Sequence, residues 1–149
     1  MQNTQKETQL LKELKDQEKL CVDKYAKHSA CAKDPQLKTL FAQLSSMEQQ
    51  HFDAITQVEN GNVPAPFAAG GQQPTFTARY SVSGEPDKDN DCYLCSDLLT
   101  AEKHASHLYD TCIFEFRDEN TRKLLNSIQS AEQAHGKSIY DYMSVNSMY

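Results

Sequence analysis

Two Glu-x-x-His pairs, Glu48-x-x-His51 and Glu132-x-x-His135, each follow a lone glutamate, Glu18 and Glu102, at the same interval. On a helix, a spacing of three puts both side chains of a pair on one face, about one turn apart. Carboxylate oxygens and neutral imidazoles are the donors that iron and manganese accept. A single Glu-x-x-His is commonplace on a solvated helix face. Two copies that coincide with two further glutamates are not.

All six residues interrupt apolar stripes. Glu18 lies between Leu14 and Val22, Glu102 between Leu98 and Ala105, Glu48 and His51 between Leu44 and Ile55, and Glu132 and His135 between Ile128 and Ile139. Each therefore points inward. Four carboxylates inside an apolar bundle repel one another and cost several kcal/mol each to desolvate. Protonation would relieve them; two divalent cations, with the histidines as neutral ligands, would match four negative charges with four positive ones.

The elements that position these residues are four amphipathic helices. Leu11, Leu14, Val22, Tyr25 and Ala32 recur at helical spacing, as do Leu37, Leu40, Leu44, Ile55 and Val58. Lys33-Asp34-Pro35 divides them, with Asp34 as a cap and Pro35 in the first turn of the second helix. Leu94, Leu98, Ala105, Tyr109 and Phe116 predict a third helix, and Leu124, Leu125, Ile128, Ile139 and Met143 a fourth, with the break near residues 117–120. Residues 60–91 hold four of the five glycines and four of the five prolines, which predicts a long connection.

One domain is expected over 1–149: a helical hairpin at about 4–59, a crossover at 60–91 and a second hairpin at about 92–146. A connection of some thirty residues can run the length of a bundle and start the next helix from the same end, the topology of ferritin-like four-helix bundles. The halves also repeat. The shift that carries Glu48 onto Glu132 superposes Leu14 on Leu98, Tyr25 on Tyr109, Leu40 on Leu124 and Ile55 on Ile139 without a gap. Depth agrees as well. Glu18 and Glu48 are equidistant from position 33, and Glu102 and Glu132 from position 117, which places all six groups in one layer.

Tyr25 and Tyr109 follow Glu18 and Glu102 by seven residues on the same faces. They either fill the core or hydrogen-bond a ligand carboxylate from the opposite half, orienting it. Cys92-x-x-Cys95 is expected where the third helix begins, a position that lowers a thiol pKa and suits redox chemistry or a soft metal, although half of a four-cysteine iron site is missing. Cys21, Cys31 and Cys112 bring the count to five; the odd, scattered set reads as free thiols. His28, His104 and His107 read as surface or packing residues.

Composition narrows the classes of function. The net charge of -6 and pI near 5.3 argue against nucleic acid. A mean hydropathy of -0.71, with no run near the ~20 residues that span a bilayer, argues against a membrane protein. The polar residues 1–9 carry no apolar core of a signal peptide, so synthesis in the cytoplasm is expected.

The layout Glu18, Glu48-x-x-His51, Glu102, Glu132-x-x-His135, with tyrosines at +7, resembles the ferritin-like superfamily, including rubrerythrins and bacterioferritins. That resemblance implies a di-iron carboxylate centre, with manganese as the alternative. The stretch from Asp97 to Phe116, then Glu132-Gln-Ala-His-Gly136 and Ile139-Tyr-Asp-Tyr-Met143, resembles the coat F family of bacterial spore coat proteins. It implies a largely structural role in the coat of an endospore, with self-association or other coat proteins as partners. Two functions are thus expected to compete: a metal-binding coat or coat-associated protein, and a rubrerythrin-type di-iron oxidase or peroxidase acting on O2 or peroxide. No rubredoxin module is expected, and no catalytic residue is assigned.

Overall fold

The computed structural model describes residues 2–69, 71–81 and 84–149. They form four helices, α1 (Gln5–Cys31), α2 (Pro35–Glu59), α3 (Pro86–Glu115) and α4 (Glu119–Val145), and no strand among the described residues. Each start has a local cause. Thr4 accepts the Glu7 N–H while the Glu7 carboxylate accepts the Thr4 N–H, a reciprocal cap on α1. Asp34 and Asp118 cap α2 and α4 through the N–H groups of Gln36 and Thr121, and Pro35 opens α2.

The third helix begins earlier than expected. It starts at Pro86, not Cys92, so the crossover covers 60–85 and the second hairpin is longer by six residues. Pro86 presets the first turn and Asp87 and Asp89 suit the positive end of the helix, but a polar string from Pro86 to Asp91 has no apolar period and reads as loop. Cys92 and Cys95 consequently lie inside α3 and lose the predicted place at its start.

Neighbouring helices run antiparallel. Near one end, Lys6 pairs with Glu115 and the Glu7 carboxylate accepts the Arg117 N–H; at the other, Asp91 accepts the N–H groups of Lys33 and Asp34. The crossover follows α4. Its Phe67 N–H bonds Ser127, Gln73 accepts the Ser138 hydroxyl, and the N–H groups of Arg79 and Tyr80 share the Asn146 side chain. Nineteen positions separate Ser127 from Asn146, about 28 Å along the helix at ~1.5 Å per residue. The connection therefore carries the chain back along the bundle before α3 begins; its residues 70, 82 and 83 lie outside the described residues.

The core is in two parts. One gathers Leu11, Leu14, Ile55, Val58, Leu124, Leu125 and Ile128, with Tyr109 and Phe116. The other gathers Leu37, Leu40, Phe41, Leu44, Leu98, Ile139 and Met143, with Tyr25 and Tyr142. Burying each of the larger aliphatic side chains contributes about 1.5 to 3 kcal/mol. On every helix the six glutamates and histidines fall between the two parts.

Candidate metal centre

The structure brings Glu18, Glu48, His51, Glu102, Glu132 and His135 together, none more than 3% exposed. Their side chains interleave across the halves. His51 Nδ1 lies 3.1 Å from Glu132 Oε1 and 3.4 Å from Glu48 Oε2; His135 Nδ1 lies 2.8 Å from Glu48 Oε1 and 3.5 Å from Glu102 Oε1. The two imidazoles stack, with centroids 5.8 Å apart and planes 12° from parallel. Both Nδ1 atoms thus face the carboxylates.

Two overlapping sets of donors result. Glu18, Glu48, His51 and Glu132 offer ligand atoms all within 4.8 Å of one another, and so do Glu48, Glu102, Glu132 and His135. Glu48 and Glu132 belong to both sets, as bridging carboxylates would. The Oε2 atoms of all four glutamates are buried without a hydrogen-bond partner, an arrangement that costs about 1 to 3 kcal/mol or more per group unless something binds there. The donor types, the shared pair and the orphaned oxygens all fit two cations.

Charge in the layer is correspondingly frustrated. Burial, then the neighbouring Glu48, pushes the Glu18 carboxyl up; burial and Glu102 do the same to Glu132. Burial also pushes Glu48 up, but the adjacent Glu18, His135 and His51 outweigh it and hold this carboxyl low. For His135, burial works against the cation, yet Glu102 and Glu48 raise it to about 9. Protons therefore do part of the neutralising that cations otherwise would.

The tyrosines answer the question their spacing left open. Tyr25 donates to Glu102 Oε1 and Tyr109 to Glu18 Oε1, each across to the other half. Burial and the nearby carboxylates push both phenols up, so they remain donors. Each fixes one oxygen of its glutamate and leaves the other free.

Residues 90–149 match the family model of the Coat F domain. The match bears out the coat F resemblance of the α3–α4 segment and points to the spore coat as the setting. Comparison with curated proteins and with solved structures found no match. No helix among the described residues is long and apolar enough to cross a membrane. The Coat F segment holds Glu102, Glu132 and His135, while Glu18, Glu48 and His51 come from α1 and α2.

The remaining candidates fall elsewhere. Cys95 is fully buried, and burial followed by Asp91 pushes its thiol up, opposite to the activation expected of a helix start. All five cysteines are free. His28 Nε2 bonds Asp97 at 2.7 Å, and His104 and His107 are exposed. Two neighbours of the layer are not singled out by the sequence. Cys21, one turn past Glu18, is buried with its thiol pushed up by burial and then by Glu48. Phe67, from the crossover, sets its ring edge against His51 at 5.1 Å. Cys21 does sit on the stripe, but nothing local marks Phe67 among Pro64-Ala-Pro-Phe67 as a cover for the histidines.

Proposed function

We propose that this is a metal-binding, ferritin-like spore coat or coat-associated protein that holds two divalent cations, iron first and manganese second, in its central layer. The observation that carries the reading is the shared pair, Glu48 and Glu132, between two donor sets whose free oxygens are all buried. Glu18 and His51 complete one position, Glu102 and His135 the other, and Tyr25 and Tyr109 orient Glu102 and Glu18 across the halves. The long crossover supports the ferritin-like assignment, because it lets α2 and α4 each present Glu-x-x-His toward a glutamate of α1 and α3. Bound cations would draw the four helices together at mid-length, which suits a building block associating with other coat proteins.

Turnover of O2 or peroxide is the second reading, favoured by a cavity of about 580 Å³ that Glu102 and Glu132 line. A bound Fe(II) pair would supply two electrons to such a substrate, both ions being oxidised to Fe(III). Anaerobic loading with Fe(II), metal counting and then exposure to O2 or peroxide tests both. Two irons per chain, lost in Glu48→Ala, are expected; fast oxidation would favour the enzyme, and a folded chain without stoichiometric metal would sink the site.

A further inference from the structure

The internal repeat makes the two sides of the layer comparable, and they differ one turn beyond the glutamate of each Glu-x-x-His pair. Phe52 lies one turn beyond Glu48; the equivalent place, one turn beyond Glu132, is Gly136. On the α1–α2 side the Phe52 ring is half-buried, with the Lys15 ammonium 5.6 Å from its centroid and Lys15 tied to Glu59 at 2.9 Å. On the α3–α4 side the Lys15 counterpart is Leu99, and no side chain stands at Gly136. A cavity of about 580 Å³ opens there, lined by Gly136, Leu99 and Ser106, with Asp110 also on its wall and Glu102 and Glu132 among its lining. Both glutamates have a buried, unpartnered Oε2.

We infer that the α3–α4 groove is the route by which a hydrated divalent cation reaches the acidic layer, and that Gly136 keeps it open. The inference rests on the reading of the layer as a metal site. An ion with about six waters occupies about 200 Å³ at ~30 Å³ per water, so the groove admits it before its shell is stripped. Carboxylates supply the attraction, and of the two lysines lining the groove, Lys137 is paired with Asp141 while Lys103 is exposed. A second cavity, about 330 Å³ beneath the crossover, reaches His135 but none of the glutamates. It meets an imidazole rather than the anionic oxygens that would draw a cation inward.

The test is stopped-flow uptake of Co(II) by the intact chain, followed by its visible absorption. Gly136→Phe, which copies Phe52 onto the open side, should slow uptake about tenfold or more while leaving the final Co(II) per chain unchanged. Gly136→Ala should load within about twofold of the parent, because the added methyl meets only Leu99 Cδ2, at the ordinary distance of 3.8 Å. Should Gly136→Phe fail to fold, Ser106→Phe narrows the groove from its other wall and must slow uptake likewise. Normal rates in a folded, groove-filled variant would overturn the inference, as would uptake that quickens in Phe67→Ala but ignores Gly136→Phe, which would put the route beneath the crossover. A parent protein that takes up no Co(II) would instead refute the metal site itself, and the route with it.

Discussion

Glu7 and Asp91 hold equivalent places in the two halves, each carboxylate accepting the N–H of the middle residue of the helix–helix turn of the opposite half. Glu7 Oε2 accepts from Arg117 at 3.1 Å and Asp91 Oδ1 from Lys33 at 2.8 Å. Arg117 and Lys33 are themselves related by the same repeat. The internal symmetry of the central layer thus extends to both ends of the bundle, where each half closes the turn of the other.

Glu7 makes that closure dependent on pH. Burial pushes its carboxyl up, but the N–H groups of Thr4 and Arg117, the Arg117 guanidinium and the Thr4 hydroxyl together lower it from the ordinary 4.5 to about 2. A carboxylate held low in the folded state stabilises it above the unfolded pKa, and that contribution fades as pH falls from about 4.5 to about 2. Glu7→Gln should cost about 1 to 2 kcal/mol in urea unfolding at pH 7, with the gap to the parent closing across that window. A gap independent of pH would mean that packing, and not charge, is lost.

Asp91 does more than its counterpart. Besides Lys33 it accepts the Asp34 N–H at 3.0 Å, the Tyr80 hydroxyl at 2.7 Å and the Asn90 amide at 3.1 Å, so it joins the α1–α2 turn, the crossover and α3. Asp91→Ala should destabilise by about 2 to 4 kcal/mol, since it leaves buried donors without acceptors. Tyr80→Phe should cost about 1 kcal/mol in the parent and less in Asp91→Ala, because the two share one interaction. Chemical denaturation of the four proteins checks the non-additivity.

In the central layer, stability and metal binding should move in opposite directions. Glu18→Gln with Glu102→Gln removes two buried carboxylates, so the chelator-treated variant should melt above the chelator-treated parent while its Co(II) uptake falls. Thermal unfolding with chelator and with Co(II) reads both. A layer kept only for its packing and hydrogen bonds would lose stability under both conditions.

The cross-half phenols should matter equally. Tyr25→Phe frees Glu102 and Tyr109→Phe frees Glu18, and each should weaken Co(II) binding about 10- to 100-fold in competition with a chelator. A large effect of one and none of the other would show that the two donor sets are not held alike.

Much of this was legible because interior periodicity survives in the sequence. The stripes of Leu, Ile and Val marked the helices, and the glutamates and histidines announced themselves by interrupting those stripes at matched depths. The start of α3 was hidden, since Pro86-Asp87-Lys88-Asp89 forms a helix end through preset backbone and favourable charge, neither of which leaves an apolar rhythm. The course of the crossover was hidden for another reason. Single bonds such as Phe67 to Ser127 and Tyr80 to Asn146 join positions far apart in the chain, and no local pattern specifies them. The contrast between Phe52 and Gly136 was present in the repeat all along, but gains meaning only when the groove beside Glu132 is seen.

The division of the core into two apolar ends, with charged residues between them, bears on how the bundle comes apart. Each end buries its own aliphatic and aromatic side chains, and contact between the ends passes through glutamates and histidines. When the layer holds only protons, amide exchange at the two ends can proceed as separate local openings. With ions bridging all four helices, opening either end would require breaking coordination shared with the other, and the protein would unfold as one cooperative unit.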